Sequence, residues 1–435
     1  MDETVNRALF DFIEASPTAF HAVAVMKREL DLAGYRQLLE GKDWRLLPGG
    51  GYYVIRNGSA LIAFRIPEGA WNGFQIVASH DDSPAFKIKE NPEKAEGPYV
   101  KLNVEKYGGM PYASWLDRPL SVAGRVLYRE GGRIRTRLVR VERDLVLIPS
   151  LAIHINKEVN KGFSCQVQKE LLPLYGEKTE PGSFAEQIAE AAGLPAGGIL
   201  GSDLYLYNRQ KGSVWGREGE FISIGRLDDL QCVYASLRGF LEAKEGRSLP
   251  VHCVFDNEEV GSSTKQGAGS PFLRDTLLRI CEGLSDSPAG YRRRLASSFM
   301  VSADNAHGLH PNYPEKSCPT NRPLLNGGVV LKYSASQRYT TDGAAAAIFG
   351  EICKRAGVPV QTYANHSDIA GGSTLGHISS GQVACNCADI GLAELAMHSS
   401  YETAGAKDTA YLISAARAFY ESSVVESGYG EYKLL

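Results

Sequence analysis

Val254-Phe255-Asp256-Asn257-Glu258-Glu259-Val260-Gly261-Ser262 reads as a short apolar strand that stops at two adjacent carboxylates and turns away on small residues. Strands that end this way belong to α/β sheets, where chemistry gathers at the carboxyl ends of the strands. With Glu259 holding a metal ion and Glu258 facing the open side, a single turn supplies a ligand for a Lewis acid and a general base for its water. Hydrolysis is the chemistry this pair points to.

Other segments share that design. Phe74-Gln75-Ile76-Val77-Ala78-Ser79 predicts a buried strand, with His80-Asp81-Asp82-Ser83-Pro84 where it must end. Further strands are expected at Phe299 to Ala303 and Val329 to Tyr333, separated by helical stretches. One helix runs from a Thr341-Asp342 cap through an alanine-rich run to Gly357, and Pro359 bars its continuation. Near the amino end, Ser16-Pro17 and the apolar-periodic stretch to Leu32 predict a helix capped by Ser16, with proline in its first position and Gly34 as its stop. His21 on that helix reads as structural or positioning rather than as a ligand.

From about Glu90 to Phe221 the texture changes. Gly124 to Glu130 and Arg133 to Val141 flank Gly131-Gly132 like a hairpin, so a β-rich segment is expected to interrupt an α/β domain made of both ends of the chain. The expected division is 1–89 and 222–435 for the α/β domain and 90–221 for the insertion. Seven arginines between Arg125 and Arg143 read as the wet side of the hairpin and not as a nucleic-acid face.

Composition narrows the partners. A chain of 435 residues with 43% apolar side chains should divide into about two domains. A formal net charge of -3 builds no field for nucleic acid or an anionic membrane, which leaves small molecules or peptides. The eight cysteines are scattered, and Cys385-Asn386-Cys387 is too tight for a zinc-ribbon turn, so reduced and mostly buried thiols are expected. The start, Met1-Asp2-Glu3-Thr4, is acidic, and no apolar run approaches the roughly 20 residues of a membrane span. A cytoplasmic protein is the expectation.

A two-metal hydrolytic site needs a shared carboxylate between the ions and separate His or carboxylate ligands for each. His80 ends a strand, with Asp82 placed to fix its tautomer. Asp228 in Gly225-Arg226-Leu227-Asp228-Asp229-Leu230 either caps a helix or bridges two metals. Asp304 ends the strand Phe299 to Ala303, and the His307 and His310 that follow could bind metal, orient substrate or turn the chain. His398 ends the apolar approach Glu394-Leu395-Ala396-Met397. Together with Glu258-Glu259 these residues complete a dinuclear set of oxygen and imidazole donors, suited to zinc, with manganese or cobalt as alternatives.

Ser79-His80-Asp81-Asp82-Ser83-Pro84, Trp115-Leu116-Asp117-Arg118, Asp256 to Ser262, Ser302-Ala303-Asp304, Leu395-Ala396-Met397-His398-Ser399 and the opening Ser16-Pro17-Thr18-Ala19-Phe20-His21-Ala22-Val23 resemble the aspartyl aminopeptidase family through nearly the whole chain. The resemblance implies a three-layer α/β metallopeptidase catalytic domain with an inserted β-rich dimerisation domain. It implies that His80, Asp304 and a bridging Asp228 serve one ion, that Asp228, Glu259 and His398 serve the other, and that Glu258 is the general base with Asp82 in support. Family members are cytosolic and assemble from dimers into tetrahedral homododecamers, so His154 is expected to reach a neighbouring subunit's active site. Lys332 matches a substrate-pocket lysine that would favour Asp or Glu, although a solvated strand lysine is the ordinary alternative. Two positions depart from the pattern: Asp81 stands where a neutral residue is common, and His377 where proline is often found.

The expected activity is metal-dependent removal of single amino-terminal residues from peptides, by attack of a metal-bound water with Glu258 as base. The rivals are a non-catalytic assembly or cargo protein on the same fold and a dinuclear hydrolase of other small amides.

Overall fold

The computed structural model describes residues 2–177 and 180–435. Its centre is a run of four parallel strands, Leu249–Phe255, Phe74–His80, Phe299–Ala303 and Asn386–Leu395, side by side in a 13-stranded sheet. All residues of the first three strands are buried, as apolar parallel strands covered on both faces must be. Pairing register aligns their ends. Phe255 lies opposite His80 and Ala303 opposite Ile390, so the chain leaves the sheet at His80, Asp256 and Asp304 along one edge.

Side-chain alternation divides the core into two layers. Val254 points into the cluster beneath the helices Ala19–Leu32, Leu227–Glu242, Gly343–Arg355 and Asp408–Glu421. Its neighbours Cys253 and Phe255 point to the opposite face, against Phe272–Gly283 and Leu375. Helices on both faces of a mixed sheet with a parallel centre make a three-layer α/β architecture. Each fully buried Phe or Leu contributes about 1.5–3 kcal/mol through lost apolar exposure. The Asp342 carboxylate caps its helix by accepting from Ala345 N at 2.8 Å, and Gly357 follows the helix end at φ +67°.

The amino-terminal helix departs from expectation. Ser16 N–H bonds back to Ile13 C=O (3.0 Å) and so belongs to the close of the preceding helix, Asp2–Ala15. The next helix is Ala19–Leu32, entered from an extended Thr18 whose hydroxyl pairs with His21 Nδ1 at 2.9 Å. His21 is buried, and burial, reinforced by Arg140 and Arg226, lowers its pKa to about 4.

A second, six-stranded sheet draws on the segment from Ala85–Glu96 to Ile199–Asn208 and has its own apolar core around Phe86, Trp115, Val122 and Leu204. The hairpin Leu120–Glu130 with Arg133–Arg140 forms one edge. The chain is back in the large sheet by the short strand Ser213–Trp215. Among the described residues all eight cysteines are unpaired, and no helix is long and apolar enough to cross a membrane.

Candidate metal centre

The strand ends converge. Donor atoms of His80, Asp228 and Asp304 lie within 4.8 Å of one another, as do those of Asp228, Glu259 and His398, and a third grouping joins His80 to Glu258 and Glu259. Asp228 is common to the first two. Its Oδ1 is 3.4 Å from His80 Nε2 and its Oδ2 is 3.2 Å from His398 Nε2, with Glu259 Oε2 3.4 Å from the same His398 nitrogen. Asp228 does not cap the helix with its carboxylate: Oδ1 has no hydrogen-bond partner among the described residues and Oδ2 faces His398 Nε2, while the chain departs from helical backbone, with Arg226 in the left-handed region and Asp228 at φ/ψ -78°, 109°. That departure turns the carboxylate toward both imidazoles.

Both rings are oriented as metal ligands require. His80 Nδ1 faces the main-chain carbonyl of Asp82 at 3.0 Å, and His398 Nδ1 faces that of Gly109 at 2.6 Å. A carbonyl only accepts, so each Nδ1 carries the proton and each Nε2 keeps a free lone pair on the Asp228 side. Asp228 Oδ1 and Glu259 Oε1 are buried without a hydrogen-bond partner among the described residues. Oxygen and imidazole donors with such orphaned oxygens fit a pair of divalent ions.

The carboxylate of Asp82 holds the Glu258-Glu259 turn. Its Oδ1 accepts from Glu258 N (3.0 Å), and its Oδ2 accepts from Glu259 N (3.1 Å) and from the Tyr107 hydroxyl (2.6 Å). The His80 ring therefore meets the Asp82 carbonyl at 3.0 Å and the carboxylate only at 3.3 Å, whereas the sequence suggested the carboxylate alone. Glu402 was not foreseen. Buried on the strand Glu402–Gly405, it accepts from His398 N (2.7 Å) and Asp228 N (3.2 Å), clamping both residues by their backbones. No local pattern marks it, since its strand reads Glu402-Thr403-Ala404-Gly405 with no apolar run.

Electrostatics reveal an excess of acid. Burial acts against charge on Asp228, yet the His398 and His80 rings beside it hold it well below the usual carboxylate range. Burial and the Asp228 charge push Glu259 well above that range, and burial pushes Glu258 up to about 8. Burial also opposes charge on His80, but Asp228 and Asp82 outweigh it and raise its pKa. Cations at the centre of this cluster would relieve the repulsion.

His80, Asp228, Glu258, Asp304 and His398 line one cleft with Lys332, His307, Tyr339, Tyr363 and Thr374. Lys332 is buried, not a solvated strand lysine: its ammonium donates to Asp304 O (2.6 Å) and Asn305 O (3.0 Å) and stands 3.7 Å from Asp304 Oδ1. His310 lies away from the ligand groups, and its Nδ1 accepts from Asn312 N. Asp81 lines a different cavity, with Tyr107, Tyr205 and Asp256, so its extra charge does not face the cleft. His377 turns its Nδ1 to Thr374 O at 2.7 Å. His154 sits on an exposed loop outside this chain's cleft.

Residues 12–420 match the model of a family described as aminopeptidase I zinc metalloprotease (M18). A probable M18 family aminopeptidase 2 of Clostridium novyi is 44% identical over 421 residues, covering 95% of this chain and 97% of that protein. Its counterpart in Pseudomonas aeruginosa is 42% identical, covering 97% and 99%. Among solved structures, the Ape4 chain of an Ape4–Nbr1 complex superposes with a TM-score of 0.94 at 34% identity, covering 97% of this chain and 86% of that one. A chain of the S. cerevisiae mApe1 dodecamer gives 0.85 at 27% identity, with 96% of each chain covered.

Proposed function

The chain belongs to the M18 family of zinc metalloprotease aminopeptidases, and from that membership we propose that it removes single residues from the free amino ends of peptides with Glu258 as general base. The observation that carries this reading is Glu258 in the cleft beside both ligand groups, on a turn whose two amides are tied to Asp82. Zinc is the family's metal. The proposed dinuclear centre has His80, Asp304 and Asp228 at one ion and Asp228, Glu259 and His398 at the other, with manganese or cobalt able to replace zinc. When bound, the ions supply Lewis acidity toward the scissile carbonyl and the attacking water.

The remaining work falls to the chain. Glu258 takes a proton from the water as it attacks and returns it to the nitrogen of the departing amine. Asp82 keeps the Glu258 backbone in place, and Glu402 does the same for Asp228 and His398. The carboxylates around the cleft favour a free ammonium on the substrate, which confines cleavage to the first residue. Lys332 is the one lysine or arginine among the described residues lining the cleft, and this supports a preference for Asp or Glu at that residue.

An inserted dimerisation domain is part of the same proposal, with its bounds moved from the expected 90–221 to the second sheet's Ala85 to Asn208, since Ser213–Trp215 and Phe221–Ile224 already pair in the large sheet. Support comes from the separate core of the second sheet and from the exposed Leu151, Ile153 and Ile155 around His154. In a dimer this loop would carry His154 to a neighbour's cleft, and a tetrahedral homododecamer is the proposed assembly, the mApe1 relative being a dodecamer. Eight unpaired thiols support a cytoplasmic location.

The test is a panel of peptides with acidic, neutral and basic first residues, each with a free and an acetylated amine, offered to zinc-loaded protein. Release from free amines only, fastest for Asp and Glu, is expected. Equal cleavage of acetylated substrates would transfer the chain to the hydrolases of other small amides, and no release at all would leave the assembly role.

A further inference from the structure

The strand Tyr99–Tyr107 belongs to the second sheet, yet the residues at its exit touch three separate parts of the metal centre. The Tyr107 hydroxyl donates to Asp82 Oδ2 (2.6 Å) and accepts from Asn257 Nδ2 (2.8 Å). Gly108 adopts φ +74°, and a Cβ added there would stand 3.1 Å from Glu259 Cβ. Gly109 offers the carbonyl that fixes the His398 tautomer. Only glycine combines that left-handed turn with so close an approach.

We propose that Tyr107-Gly108-Gly109 is a positioning element through which the second sheet builds the metal centre of its own chain, with Tyr107 as the positioning residue for Glu258. The proposal rests on the reading of Glu258 as base. Tyr107 grips the Glu258-Glu259 turn from two sides. On one side stands Asp82, whose two oxygens take both amides of the turn and the phenol. On the other stands Asn257, held at φ +64°, whose Oδ1 accepts from Thr264 Oγ1 and Gln266 Nε2, each at 2.8 Å. The Tyr107 ring is set edge-on to Tyr205 of the strand Ile199–Asn208 at 5.6 Å and 81°, so its position follows from the packing of the second sheet. An O–H donated to a carboxylate is among the stronger neutral-to-charged bonds, and without it Asp82 would keep its amide partners but lose the contact that sets its angle.

The test uses the full-length protein and the variant Tyr107→Phe. Loss of such an orienting bond should lower kcat about 10- to 100-fold, with KM and zinc content little changed. Hydrogen exchange, read in zinc-loaded and in chelator-treated protein, should quicken at the Glu258 and Glu259 amides while the strand Leu249–Phe255 keeps its protection. Gly108→Ala should weaken zinc retention against a chelator, because its Cβ presses on Glu259. Unchanged exchange at both amides in Tyr107→Phe would overturn the proposal, and so would faster exchange spread over the whole large sheet, which marks general loosening. Exchange is read without turnover, so an active Glu258→Gln variant would strike the base assignment alone and leave the anchoring to be judged on its own.

Discussion

At the carboxyl ends of the central strands, carboxylates and imidazoles are buried together, and Asp228 Oδ1 and Glu259 Oε1 find no partner. On the second sheet charge is treated in the opposite way. Its exposed arginines pair locally, as Arg135 does with Glu130 at 3.0 Å, while the more buried Arg125 is satisfied by Asp203 at 2.8 Å and by the Asn57 carbonyl. Burying an unpaired ion costs several kcal/mol, so a chain retains such a cluster only where something repays the cost. The surface pairs demand no repayment and contribute little. The contrast separates a site from a solvated face more reliably than the number of charges does, since the hairpin too is densely charged by sequence.

The largest effect that would break this comparison is at Glu258. Glu258→Gln should reduce turnover about 10²- to 10⁴-fold with zinc content and melting temperature preserved. Steady-state kinetics beside metal analysis reads it, and a normal kcat would remove the base from the strand-end cluster. Asp228→Asn comes next. Because Asp228 belongs to two ligand groups, its loss should empty both ions on dialysis, whereas Asp304→Asn should release one. Equal zinc retention in the two variants would deny Asp228 its bridging position.

A third prediction concerns a buried polar group that is no part of the site. His252 lies three residues before Phe255 on the same strand, with both ring nitrogens unpartnered and its ring against Phe240 at 5.9 Å. Burial lowers its pKa from 6.5 to about 3. Below pH 6.5 the unfolded chain binds a proton that the folded chain refuses, so stability is present above that pH and is lost as pH falls toward 3. The loss is about 1.4 kcal/mol per pH unit. His252→Leu should flatten melting temperature between pH 6.5 and 4.5, and an unaltered acid slope would mean that other groups dominate. The smallest effect is on the second sheet: Arg135→Ala should cost less than about 1 kcal/mol by denaturant titration. A larger cost would show that its charges are not mere surface.

Much of the site was legible because chemistry sits where strands end. His80, Glu258-Glu259 and Asp304 each follow an apolar run, and the structure brings donors of His80 within 4.8 Å of those of Asp304 in one grouping and of Glu258 and Glu259 in another. Asp228 and His398 were legible from the residues as types only, and as neighbours only through the family resemblance, for their approach depends on non-helical backbone at Asp228 and a positive φ of 65° at His398. Glu402, Tyr107 and Gly109 were missed. Each acts through a contact spanning a large sequence distance, as Gly109 does to His398, and no local pattern encodes it. The helix start moved from Ser16 to Ala19 because the preceding helix uses Ser16 N–H to finish its own last turn.

By itself, the amino-acid order determined the alternation of strands and helices, the places where strands must stop, and the kinds of donor available at those stops, since periodicity and side-chain chemistry are local properties. Tertiary structure alone decided which stops lie along one edge, which nitrogen of His398 is left free, and that the second sheet reaches into the metal centre at Tyr107 to Gly109. Those outcomes depend on pairing register and on packing between segments more than a hundred residues apart, and such interactions come into being only when the chain folds.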